Sequence, residues 1–121
     1  MFTEIKNKYE NFSDSLISEI KYSQIHSIRT IEIILKCMNR FSNYDYETIK
    51  LIFDDVIFFH FKEEERYSST VINSAFLNND KGIIVFDFFP LLYADKLEEN
   101  PDSDLIVKSR LLSYIKIEDE Q

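Results

Sequence analysis

Thr30-Ile31-Glu32-Ile33-Ile34-Leu35-Lys36-Cys37 places Ile31, Ile33, Leu35 and Cys37 on one side of an extended chain and Thr30, Glu32, Ile34 and Lys36 on the other. A period of two is the mark of a sheet strand with one buried face; a helical face repeats at three and four. Downstream, residues 48–53 repeat the pattern with Ile49, Leu51 and Phe53, until Asp54-Asp55 interrupts it. Val56-Ile57-Phe58-Phe59-His60-Phe61 then carries apolar residues on both faces, as expected of a central strand or one covered by a helix. Asn78-Asn79-Asp80-Lys81-Gly82 reads as a bulged hairpin turn, since Asn and Asp tolerate left-handed backbone and the only glycine sits where positive φ is needed. Residues 83–88 should therefore return antiparallel, ending at Phe89-Pro90 because proline cannot donate to a ladder. Residues 94–103 read as an acidic loop, and residues 104–117 as one long bent strand or two short ones.

Upstream, Phe2, Ile5, Tyr9 and Phe12 recur at spacings of three and four, which predicts a short amphipathic helix. Residues 14–22 fit either class: Leu16, Ile17 and Ile20 have helical spacing, whereas the run from Ile17 to Tyr22 also alternates. Residues 69–77 are similarly open between strand and short helix. The sum is a single domain over residues 1–121, α+β and β-rich, with a mainly antiparallel sheet of about six to eight strands and an N-terminal helix. Parallel winding is disfavoured, because a crossover needs on the order of ten residues or more between strands and the gaps are shorter.

Composition removes whole classes of function. Of 121 residues only Gly82 is glycine, so neither a dinucleotide-binding nor a phosphate-cradling glycine loop exists. Cys37 is the only cysteine, which excludes an intramolecular disulfide and a thiolate zinc site. The chain opens Met1-Phe2-Thr3-Glu4 without the apolar core of a secretory signal, and a reducing cytoplasm is the expected location. The longest strongly apolar uncharged run is Val56 to Phe61, against the roughly 18 to 20 residues of a spanning helix. With 22 acids against 14 bases the formal charge is −8, a field that repels nucleic acid and anionic lipid. The acidity is late in the chain: nine acids and seven bases up to residue 60, then 13 and seven from residue 61.

Few side chains have the spacing of catalysis. His26 and His60 are far apart in sequence, and His60 sits inside an aromatic run. Cys37 ends the alternating run on its apolar side, where a thiol serves as a small hydrophobe. Asp54 and Asp55, with Asp87 from another strand, are a conceivable carboxylate set, but neighbours on a strand face opposite sides, so no metal or cofactor is expected. The 11 Phe fall mostly at strand positions and read as core, whereas Tyr44, Tyr46, Tyr67 and Tyr93 lie in or near connections, where an amphipathic ring suits an interface.

Leu51-Ile52-Phe53-Asp54-Asp55-Val56 with Phe58, then Phe86-Asp87, then Val107-Lys108-Ser109-Arg110 with Tyr114 resembles, in order of elements over residues 28–117, small bacterial immunity-type and uncharacterised β-rich domains, some of which neutralise secreted toxins. That resemblance implies a cytoplasmic protein that acts by binding and occlusion, without catalysis. The residues themselves add an acidic surface suited to a basic protein partner, with Glu98, Glu99, Asp102 and Asp104 as one patch, Glu63, Glu64 and Glu65 as another, and Tyr93 as an anchor. Two other expectations stand beside it. One is a structural or homo-oligomeric subunit assembling through a strand edge or the Tyr-bearing loops; the other is a small-ligand domain around His60 and Asp87.

Overall fold

The structure, a computed structural model, describes residues 2–63 and 70–117. Along the chain, α1 (Thr3–Lys8) and a short helical turn (Glu10–Phe12) precede β1 (Ser15–Ile25), β2 (Ile28–Asn39), β3 (Asp45–Phe61), β4 (Val71–Ile72), β5 (Phe76–Asp80), β6 (Ile83–Asp87), β7 (Leu91–Tyr93), β8 (Lys96–Glu98) and β9 (Leu105–Ile117). Seven of these strands make one antiparallel sheet in the order β4-β1-β2-β3-β9-β6-β5; β7 and β8 pair only with each other. The α+β, mainly antiparallel architecture read from the sequence is the one present.

Of residues 14–22, all but Asp14 lie in β1, and the ambiguity has a structural cause. Ile17 lies opposite Leu35 and Ile20 opposite Ile33, with one extra residue, Ser18, in the ladder between them. The Ser18 hydroxyl donates to the Ile34 carbonyl at 3.2 Å. That bulge lets residues three apart share the inner face, so the strand imitates helical spacing. A second irregularity replaces the break expected at Asp54-Asp55. β3 runs straight through both acids, but Asp55 takes φ 53° and Ile57 is inserted between the register of Val56 and that of Phe58, bending the strand across the core. The expected turn at residues 78–82 is present in a tighter form: Asp80 pairs with Ile83, leaving Lys81 (φ 52°) and Gly82 (φ 85°) as a two-residue turn.

The sheet cannot be flat. Its edge strands β4 and β5 are separated by three residues, Asn73, Ser74 and Ala75, which reach about 14 Å when extended. Six strand spacings of about 4.8 Å would put the edges of a flat sheet roughly 29 Å apart. The sheet therefore curls until its edges approach, and the N-terminal segment fills the seam. The Ala75 amide donates to the Asn11 carbonyl at 2.7 Å, and the Asp14 amide to the Asn73 carbonyl at 3.4 Å. Glu10, Asn11 and Phe12 hold left-handed backbone (φ 47°, 55° and 58°), a strained conformation that turns Phe12 inward. There its ring lies 5.0 Å from Phe86, which in turn meets Phe53 at 5.7 Å and stacks on Phe88 at 4.3 Å. All four rings are fully buried.

Tyr9 fastens the same segment to the open end of the sheet. Its hydroxyl donates to Glu47 Oε1 at 2.6 Å, Asn39 Nδ2 donates to Glu47 Oε2 at 3.2 Å, and Lys116 stands 3.6 Å away. Burial pushes the Glu47 carboxyl up, but the two hydrogen bonds and the charges of Lys116 and Lys8 outweigh it and leave it below the usual carboxylate range. Burial, then the bond to Glu47, pushes the Tyr9 hydroxyl up, so it stays a donor.

Two outcomes are expected. Phe86→Ala removes the ring on which three others rest and lowers stability by about 3–5 kcal/mol in denaturant unfolding; a loss under 1 kcal/mol contradicts the packing. Because the folded-state pKa of Glu47 is depressed, its contribution is full above the ordinary carboxylate range and is lost as pH falls. Glu47→Gln should thus melt below the parent at pH 7, and the gap should narrow as pH falls through and below the ordinary carboxylate range; a gap that stays constant into strong acid contradicts the assignment.

Candidate functional site

After β6 the chain leaves the sheet, and Pro90 cannot extend the ladder. Residues 91–98 fold back on themselves: Leu91 lies opposite Glu98, Leu92 opposite Leu97 and Tyr93 opposite Lys96. Ala94 and Asp95 turn the chain with φ 49° and 63°, the two left-handed positions of a two-residue hairpin turn. The acidic loop expected over residues 94–103 therefore includes a hairpin turn at Ala94 and Asp95 and a strand, β8, at Lys96–Glu98. Leu91, Leu92 and Tyr93 are 47%, 70% and 71% exposed, three consecutive apolar residues that the fold does not cover. A two-stranded hairpin is marginal by itself in water, so its base requires support.

Asp87 supplies that support. The side chain is fully buried, and its carboxylate accepts the Phe89 amide at 2.9 Å, the Asn100 amide at 2.7 Å and the Ser103 hydroxyl at 2.5 Å. Asn100 Nδ2 donates to the Phe89 carbonyl at 3.0 Å, and its Oδ1 accepts the Asp102 amide at 2.9 Å. Both legs of the hairpin are thereby clipped to one buried carboxylate at the end of β6. A buried charge is tolerated when its lone pairs are filled in this way. His60 and Asp87 do not meet across a cavity. His60 Nδ1 lies 3.0 Å from the Ser103 carbonyl, and Ser103, through its hydroxyl, is what touches Asp87.

Glu63, the described member of one acidic patch of the sequence, is a neighbour of the other in space. Phe61 lies opposite Leu105, and the Lys62 amide donates to the Asp104 carbonyl at 2.7 Å, which brings the exposed Glu63 beside residues 102–104. Glu98 and Asp102 are exposed and Asp104 half-buried. Glu99 is already engaged, 3.1 Å from Lys108 Nζ. Glu64, Glu65 and Tyr67 lie outside the described residues. Beside this ridge a cavity of about 350 Å³ is lined by Phe58, His60, Glu99, Asn100, Ser103 and Lys108. Leu91, Leu92, Phe58 and Lys108 are the residues that sequence reading missed. The apolar triplet after Pro90 was the available signal, but its turn carries no glycine and looks like ordinary loop.

The remaining chemistry is sparse. Cys37 is buried, and burial with the nearby Glu47 charge pushes its thiol up to about 12 against a smaller opposing effect of Lys8. Among the described residues no three His, Cys, Asp or Glu side chains gather as a metal would require, and no helix is long and apolar enough to cross a membrane. Comparison with protein-family models, with curated proteins and with solved structures finds no match to this chain.

Asp87→Ala leaves three donors without their acceptor. It should lower stability by about 3 kcal/mol and speed amide exchange in residues 88–103 more than in β2; uniform exchange across both segments argues against a local clip. Cys37 should resist a disulfide reagent at pH 8 until the protein unfolds, and rapid labelling of the folded protein contradicts the burial.

Proposed function

We propose that this chain is a non-enzymatic protein-binding module of the immunity-like kind, which covers a basic site on its partner with the β7–β8 hairpin and the acids beside it. One observation carries the reading: a hairpin outside the main sheet presents Leu91, Leu92 and Tyr93 to solvent and is held at both legs by buried Asp87. An uncovered apolar patch on a rigid mount is the form of an interface centre. Glu98, Asp102, Asp104 and Glu63 supply an acidic rim, and rim charges govern association rate and salt dependence more than residence time. The apolar centre and acidic rim together favour a partner with apolar contacts set in a basic surface.

The open edges of β7 and β8 support one competing reading, addition of the same hairpin from a second copy. The two separate in one experiment. Tagged protein, with Leu92→Ser/Tyr93→Ser and Glu98→Lys/Asp102→Lys variants of unchanged melting temperature, is used to capture chains from a lysate of the source organism. A basic chain retained stoichiometrically by the parent should fall at least about tenfold with each variant and elute at high salt. Equal capture by all three proteins, or retention only of further copies of this chain, overturns the proposal.

A further inference from the structure

The cavity beside the hairpin already holds a cation from its own chain. Lys108 Nζ sits 3.1 Å from Glu99 Oε2 and 5.7 Å from the centre of the Phe58 ring, which is 48% exposed. An aromatic face and a carboxylate converging on one ammonium is the arrangement of a cation receptor. Its third wall, His60, is held in place. A carbonyl has no proton to give, so His60 Nδ1 donates to the Ser103 carbonyl at 3.0 Å. Phe58 and Glu99 thus both favour a positively charged donor, whereas an anion would meet Glu99 and find Lys108 already neutralised. The space is about 350 Å³, at the lower end of the roughly 300–1,000 Å³ of small-ligand pockets and ample for one side chain. Lys108 itself is partly exposed, so it can leave for solvent without crossing the core.

We infer that this cavity is a receptor for an arginine side chain of the partner, with Lys108 as an internal stand-in that the guanidinium displaces from Glu99 and Phe58. Guanidinium is favoured over a second ammonium because it is planar, stacks on an aromatic face, grips a carboxylate with two parallel bonds and sheds water more easily. The inference rests on the reading that a basic protein docks beside the hairpin, and adds what the partner must insert there. It assigns Phe58 and Glu99 as binding residues and Lys108 as the residue that sets their availability.

The probe is N-acetyl-arginine amide, titrated into the full-length protein and followed by amide and aromatic chemical shifts, with N-acetyl-citrulline amide as the uncharged isostere. Shifts should map to Phe58, His60 and Asn100. Lys108→Ala should bind the arginine probe at least about fivefold more tightly than the parent, Glu99→Gln and Phe58→Leu at least about fivefold more weakly, and citrulline should not bind. Melting temperatures within a few degrees of the parent identify the variants that remain folded. No gain in Lys108→Ala, or equal binding of citrulline, overturns the inference. The Leu92→Ser/Tyr93→Ser variant separates the two proposals. It should bind the arginine probe like the parent while losing captured partner; a working pocket with undiminished capture defeats the hairpin reading alone, and a silent pocket with hairpin-dependent capture defeats the receptor alone.

Discussion

Three residues between the two edges of a seven-stranded sheet govern this molecule. Asn73, Ser74 and Ala75 are too short to cross a flat sheet, so β4 and β5 can occupy opposite edges only if the sheet rolls up. Rolling turns the alternating faces of β2 and β3 inward around a closed space and leaves a seam that backbone groups alone cannot close. The N-terminal segment closes it with Ile5, Tyr9 and Phe12 and with the Asn11 carbonyl that takes the Ala75 amide. The left-handed backbone at residues 10–12 follows from the same requirement. Strain at three residues is sustained because Phe12 is locked among Phe86 and Tyr9 and because the seam hydrogen bond holds the turn in place.

Two carboxylates then divide the remaining work. Glu47, at one end, accepts from Tyr9 and Asn39 and ties the helix to the sheet. Asp87, fully buried at the end of β6, accepts from three donors and ties the hairpin to the sheet. Each satisfies groups drawn from segments distant in sequence, and removing either would leave donors without partners in a poorly solvated place. The difference lies in what they hold. Glu47 secures a helix whose apolar face is consumed by the core, whereas Asp87 secures a hairpin whose apolar residues stay outside. This asymmetry separates structural packing from a surface presented to something else, and it gives the hairpin a rigid mount, lowering the ordering cost of any association there.

The irregularity in β3 decides where the charged residues go. At Asp55 and Ile57 β3 bends, and its pairing with β9 carries Phe58, His60, Glu63, Asp104 and Lys108 to the base of the hairpin. Acids from residues 63 and 98–104 thereby share one region, and the Phe58 ring and Glu99 converge on a single ammonium. An acidic chain that would look uniformly solvated in one dimension acquires a face with a cavity, an apolar ridge and an acidic margin.

Local periodicity was legible without coordinates. The alternation through Ile31, Ile33, Leu35 and Cys37, the helical spacing of Phe2, Ile5 and Tyr9, the turn at Gly82 and the burial of Cys37 depend on residues within a few positions of one another, and the amino-acid sequence by itself determined them. Ser18 shows the limit: a bulge shifts the phase by one residue, and a strand then carries helical spacing. Only the tertiary structure decided that Asp87 is a clip, that Leu91, Leu92 and Tyr93 stand uncovered, and that Phe58, Glu99 and Lys108 meet. Those are pairings across up to fifty residues, set by sheet closure and strand bending, and neither leaves a periodic trace in the chain.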